Sequence, residues 1–269
     1  MGYGKERSEQ IKKERVGQKR INKQGYEMEC IVYNSYDDII VEFKDKYKCI
    51  RHTHWNKFLN GDVNNLYHPT ICGIGIVGNR RPTVNNNTGG KSKEFEAWMS
   101  LMKRSFSKLV KDKHETYKDV TCCDEWLVYD EFYDWLHNQE NFNKWYNGSR
   151  WCIDKDILKK GNKIYSPDNC CLVPSNVNSL FTKTDALRGD CPIGVHRDKE
   201  CGMYIAACNV GKGKNTYIGY YCTPQDAFLA YKNVKEKYIK QIAQEEYDKG
   251  NITEQCYNAM MSYEVEITD

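Results

Sequence analysis

Between Trp151 and Phe181 the sequence reads WCIDKDILKKGNKIYSPDNCCLVPSNVNSLF, and no other stretch limits the local fold as tightly. Asp154 and Asp156 alternate with Lys155, so on an extended strand both carboxylates leave the same face. Gly161-Asn162 and Ser166-Pro167-Asp168-Asn169 are turn formers, and the short apolar runs Ile164-Tyr165 and Cys170 to Val173 lie between and after them. This predicts a hairpin. Pro174-Ser175 then opens a helix with Ser175 or Asn176 as N-cap, on which Val177, Leu180 and Phe181 recur at helical spacing. Asn178 falls in its first turn, facing back toward the strands. Acidic and amide oxygens on two strands and a helix can hold one divalent cation, so a nuclease is the first activity to test.

The chain has 269 residues, enough for roughly two domains, with 40% apolar and 29% charged residues, which fits neither disorder nor a membrane class. No apolar run reaches the roughly 18 residues that a membrane span needs, and the N-terminus is polar and lysine-rich, so a cytoplasmic protein is expected. A formal net charge of +3 predicts no polyanion partner by itself. The basic segment from Lys5 to Lys23 reads as a solvated helix or frayed arm, with a DNA-touching arm as the alternative. The 13 cysteines are odd in number and contain no C-x-x-C pair, which argues against a zinc cluster or a secreted disulfide scaffold. Most are expected to pack as small buried hydrophobes, among them Cys170, Cys171, Cys208 and Cys222 in predicted strands.

Residues 25–77 alternate in a β manner and predict a small β domain. The Asn- and Gly-rich run 80–93 reads as a linker. Phe95, Trp98, Met99, Met102, Phe106 and Leu109 then mark one face of a helix, and a second helix is predicted from about Asp124 to Gln139. From Gly194 three short strands are expected, separated at Gly202 and at Gly211-Lys212-Gly213-Lys214-Asn215. Thr223-Pro224-Gln225-Asp226 supplies a helix start with Thr223 as N-cap and Pro224 at N1. A last short helix is predicted from Thr253 to Met261. The fold class is therefore α+β and multidomain, with segments at 1–79, 94–187 and 188–269.

The 151–181 stretch resembles the ββα-metal unit of HNH endonucleases. The resemblance rests on Asp154-Lys155 where that family ends its first strand with an acid and a histidine, on Asn169 before CCLV, and on Asn178 in the helix. Lys155 stands where the histidine general base belongs, and no histidine occurs between His137 and His196. The resemblance implies one Mg²⁺ (or Mn²⁺) on Asp154 and Asn178, with Asn169 bracing the loop. Flanked by two carboxylates, Lys155 is expected to stay charged and stabilise the transition state, while Asp156 serves as base or second ligand. Lys159, Lys160 and Lys163 are expected on phosphates.

The 194–245 stretch resembles the Apetala-type (ethylene-response-factor-like) DNA-binding domain. Gly194-Val195, Tyr204-Ile205-Ala206, Tyr217-Ile218-Gly219 and TPQDAFLAYKNV carry that likeness. It implies a sheet that enters the major groove, with contacts from His196, Arg197, Lys199, Tyr204, Lys214 and Tyr217. Asn209 and Ala207 lie where plant members carry larger or charged groups, which changes the bases read. Together the two segments look like phage-type homing endonucleases: site-specific enzymes hydrolysing phosphodiester bonds of double-stranded DNA, with no membrane partner. The alternatives are a DNA-binding regulatory or architectural protein on an inactive scaffold, and a single-strand binder that stacks bases on Tyr204 and Tyr217.

Overall fold

The computed structural model describes residues 3–85, 87–182, 190–211, 215–267 and 269. It is a mixed α and β protein with several sheets. The chain divides into two compact units, Met1–Lys118 with Asp124–Asp134, and Asp119–Cys123 with Trp135–Asp269. No helix among the described residues is long and apolar enough to cross a membrane.

The first unit opens with helix α1 (Tyr3–Arg15), then strands β1 (Lys19–Ile21), β2 (Glu27–Ser35), β3 (Asp38–Phe43) and β4 (Ile50–Thr53), forming an antiparallel sheet in that order. Alternation along β3 buries Ile39, Val41 and Phe43. On β2 a register shift between Cys30 and Val32 reverses the parity, so Met28 and Cys30 are followed inward by Tyr33. Helix α2 (Trp55–Leu59) closes this core with Trp55 and Phe58.

Helix α3 (Lys93–Phe106) also belongs to the first unit. Ser92 caps it by accepting from Phe95 N at 3.2 Å. It stops at Ser107, whose ψ of 115° is extended, before α4 (Lys108–Lys113); Leu109, expected on the apolar face, is 74% exposed. The run 80–93 is not a free linker. Arg80 bonds Asp130 and Glu131, and Arg81 pairs with Asp134. The second expected helix is shorter: a 3₁₀ turn at Glu125–Leu127, a break at Val128, then α5 (Tyr129–His137). Ile76 occupies the break, with Tyr129 N donating to Ile76 O and Ile76 N to Leu127 O.

In the second unit, β5 (Thr121–Cys122) and helix α6 (Phe142–Asn147) precede β6 (Trp151–Asp154), β7 (Ile164–Tyr165), β8 (Cys171–Pro174) and helix α7 (Ser175–Ser179). Strands β9 (Val195–Arg197), β10 (Tyr204–Asn209) and β11 (Asn215–Tyr221) form a sheet in the order β11-β10-β9. Helix α8 (Pro224–Asp248) packs on that sheet and α9 (Glu254–Met261) packs on α8. Thr223 accepts from Asp226 N at 3.1 Å, the cap expected from the sequence, and Thr253, expected as the first residue of its helix, is instead its cap and accepts from Cys256 N at 3.3 Å. One core includes Cys171, Val173, Val177, Val195, Ala206, Phe228, Ile239 and Met260, so β8, α7, the sheet, α8 and α9 share it. All 13 cysteines are free, with Cys72, Cys201 and Cys222 exposed rather than buried.

Candidate nucleic-acid site

The expected hairpin exists between β6 and β8, with Trp151 opposite Pro174 and Asp154 opposite Cys171. Ile164-Tyr165 is not part of it: β7 pairs in parallel with β5, Thr121 opposite Ile164. The segment between β6 and β7 is therefore a closed loop. Helix α7 packs on both β6 and β8, which gives the strand, strand, helix order. Its N-cap is Pro174, without a side-chain cap bond, rather than Ser175 or Asn176.

Asp154 ends β6 and is buried. Its Oδ1 accepts from Asp156 N at 2.7 Å and Ile157 N at 2.8 Å, turning the chain out of the strand. Its Oδ2 makes no hydrogen bond among the described residues. Burial pushes the Asp154 carboxyl up from its ordinary value, and the two backbone N–H groups pull it only partly back. A carboxyl raised in the fold makes its ionised form a cost to stability, present above the folded value and relieved as pH falls through it toward the unfolded one. Relative to Asp154→Asn, the wild type is therefore expected to gain stability between about pH 7 and about pH 4.5. Urea unfolding of both proteins at the two pH values tests this; a difference independent of pH counts against it.

Lys155 is also buried. Its Nζ bonds both Asp156 oxygens at 2.7 Å and donates to Asn162 O at 3.2 Å. The cation is held inside the loop rather than presented to a substrate, and half-buried Asp156 is its counter-ion. Asn162 makes the brace expected of Asn169: Nδ2 donates to Lys155 O at 2.8 Å and Ile164 O at 2.7 Å, and Oδ1 accepts from Ile164 N at 3.2 Å. Asn169 is half-buried in the turn before β8, its N donating to Ser166 O at 3.2 Å. A polar residue closing a turn just before β7 was the available signal for Asn162.

Asn178 is half-buried in α7. The neighbouring Asn176 Nδ2 donates to Glu246 Oε1 at 3.3 Å, and Glu246 also accepts from Asn251 at 2.8 Å and Lys249 at 3.0 Å, fixing α7 to the end of α8. Burial raises the Glu246 carboxyl, but these bonds outweigh it and hold it below its ordinary value. An Asp oxygen and an Asn carbonyl are hard donors suited to Mg²⁺, with water and phosphate completing the shell. Among the three lysines expected on phosphates, Lys159 and Lys163 are exposed. Lys160 is engaged instead with Glu264 O and Asp269 at 2.8 Å and Glu266 at 3.3 Å.

On the three-stranded sheet, register decides which side chains share a face. Val195, Ala206 and Cys208 turn inward, so Tyr204 and Arg197 lie on the helix side; Tyr204 is partly buried against the core. Arg197 is exposed at the rim, its Nε donating to Gly202 O at 3.3 Å. The outer face carries His196, Ile205, Ala207 and Asn209. A register shift between Ala206 and Ala207 brings Tyr217 and Tyr220 to it together, with ring centroids 5.7 Å apart. Tyr220, absent from the expected contacts, is 47% exposed and donates to Asp198 Oδ2 at 2.9 Å. Backbone N–H groups of Glu200 and Cys201, with that phenol, hold the Asp198 carboxyl below its ordinary value. Lys199 is exposed in the turn beside it, and Lys214 lies outside the described residues. No protein-family model, curated protein or solved structure matches the chain.

Proposed function

We propose that the chain is a DNA endonuclease whose second unit combines a one-metal ββα site with a sheet that reads duplex DNA. The observation that carries this reading is the antiparallel β6–β8 pair backed by α7, with Asp154 at the strand end and one of its carboxylate oxygens without a hydrogen bond among the described residues. Asp154 and Asn178 would hold the ion, which when bound polarises the scissile phosphate and stabilises the departing oxygen. Lys155 and Asp156 fix the loop that aims Asp154. The outer face of β9–β11, with His196, Asn209, Tyr217 and Tyr220, supplies groove contacts, and exposed Lys159, Lys163 and Lys199 supply phosphate contacts. Phosphate binding makes affinity fall steeply with salt.

A second reading, a DNA-binding protein that does not cut, is favoured by one feature: the Lys155 ammonium is enclosed by Asp156 and Asn162, so among the described residues Lys155 offers no free nitrogen base at the strand end. Plasmid incubated with protein and Mg²⁺ separates the two. Cleavage by wild type is expected, reduced at least about 100-fold by Asp154→Asn, which keeps an oxygen for the two backbone N–H groups, and similarly by Asn178→Ala. Equal cleavage by all three proteins removes the assignment, and absence of cleavage with retained duplex binding selects the second reading.

A further inference from the structure

Strand β4 is an edge of the first unit's sheet, and a polar cleft of about 410 Å³ lies along it, lined in part by Arg51, Thr53, Lys57 and Asn64. Three carboxylates also line it, each beside a basic side chain, and the two histidines among these offset a carboxylate's charge only when protonated. Asp37 faces His54 Nδ1 at 3.3 Å, Asp38 faces His52 Nδ1 at 3.6 Å, and Asp62 pairs with Lys23. Arg51 and Lys57 have no carboxylate partner among the described residues. Arg51 Nε is moreover buried with no acceptor. A buried N–H left without an acceptor is costly, so a shift of the Arg51 side chain that brings an acceptor oxygen to it is favoured. Two separate cations and the Thr53 hydroxyl suit a group with three or more acceptor oxygens better than a planar carboxylate with two.

We propose that this cleft binds a phosphate group, on Arg51 and Lys57 with Thr53 and Asn64 at its rim. A nucleic-acid backbone and a free nucleotide share that chemistry. The site is independent of cleavage, because it uses no residue of the β6–β8 loop.

The test reads the Nε–H resonance of Arg51 in ¹⁵N-labelled full-length protein without divalent cation, assigned by its loss in Arg51→Gln. Inorganic phosphate is expected to move it saturably, and Lys57→Gln, a change at an exposed position, to weaken that binding roughly tenfold. A shift by a short DNA duplex but not by a mononucleotide identifies the backbone as the source; the reverse identifies a free nucleotide. A resonance that phosphate moves no more than chloride does at equal ionic strength, or an affinity that Lys57→Gln leaves unchanged, overturns the proposal. Because the signal comes from Arg51, its failure is distinct from a failure to cut DNA.

Discussion

Replacing Asn162 by Ala is expected to lower the unfolding free energy by about 3 kcal/mol, seen as a lower urea midpoint with unchanged slope. The side chain donates to Lys155 O and Ile164 O and accepts from Ile164 N, so it ties the start of the loop to β7. Truncation leaves the buried Lys155 carbonyl and the part-buried carbonyl and N–H of Ile164 without these partners, and each such group costs about 1–3 kcal/mol if water does not replace the bond. Asn162→Asp is the sharper variant. It can still accept from Ile164 N but cannot donate, and it sets a negative charge against two carbonyl oxygens. It is expected to be no more stable than the Ala variant, although it is isosteric with wild type. The loop also turns Asp154, through Asp156 N and Ile157 N, so both variants should impair DNA cleavage without altering a metal donor. An Ala variant within about 0.5 kcal/mol of wild type would show that the brace lies elsewhere.

That brace illustrates where local sequence stops being informative. Asn162 and Asn169 both stand in turns before short apolar runs, and spacing alone cannot tell which amide is enclosed. The answer depends on β7 pairing with Thr121–Cys122, a partner far upstream and too short to show a period. The ends of β6 and β8 and the cap at Thr223 were readable because their cause is local: β6 and β8 alternate or run apolar between turn formers, and Thr223 stands one residue before its helix, whereas the cap of α7 falls at Pro174 rather than Ser175 or Asn176. The outer face of the C-terminal sheet was only half readable. Strict alternation from Tyr217 would put Tyr220 on the opposite side, but the irregularity opposite Ala206/Ala207 restores it to the same side. Likewise, the apolar spacing of α3 continues numerically to Leu109, while the backbone had already left the helix at Ser107. The run 80–93 has linker composition, yet its two arginines meet carboxylates of the 124–134 segment, a long-range complementarity that composition cannot encode.

Gly194→Ala is expected to destabilise the second unit by about 3–5 kcal/mol and to remove duplex binding with it. Gly194 has φ of +75°, where an L side chain costs about 1–2 kcal/mol, and a Cβ built there lies 2.0 Å from the ring of Tyr231 on α8. Tyr231 is buried, so the ring cannot swing into solvent without opening the core between helix and sheet. The adjoining carbonyl accepts from Ala207 N at 2.9 Å, which couples any displacement of residue 194 to β10 as well as to β9. His196 and Arg197 follow directly on β9, so the sheet proposed to contact the duplex shifts as one body. Gly161→Ala is the matched control, because its φ is +74° but nothing lies within 4 Å of the added Cβ. It should lose only the backbone term, about 1–2 kcal/mol, and keep duplex binding within about twofold. Combining Gly194→Ala with Tyr231→Ala makes room for the new methyl, so the two changes should be less damaging together than their sum, by about 1–2 kcal/mol. Strict additivity would place the cost in the backbone alone, and Gly194 and Gly161 should then respond alike.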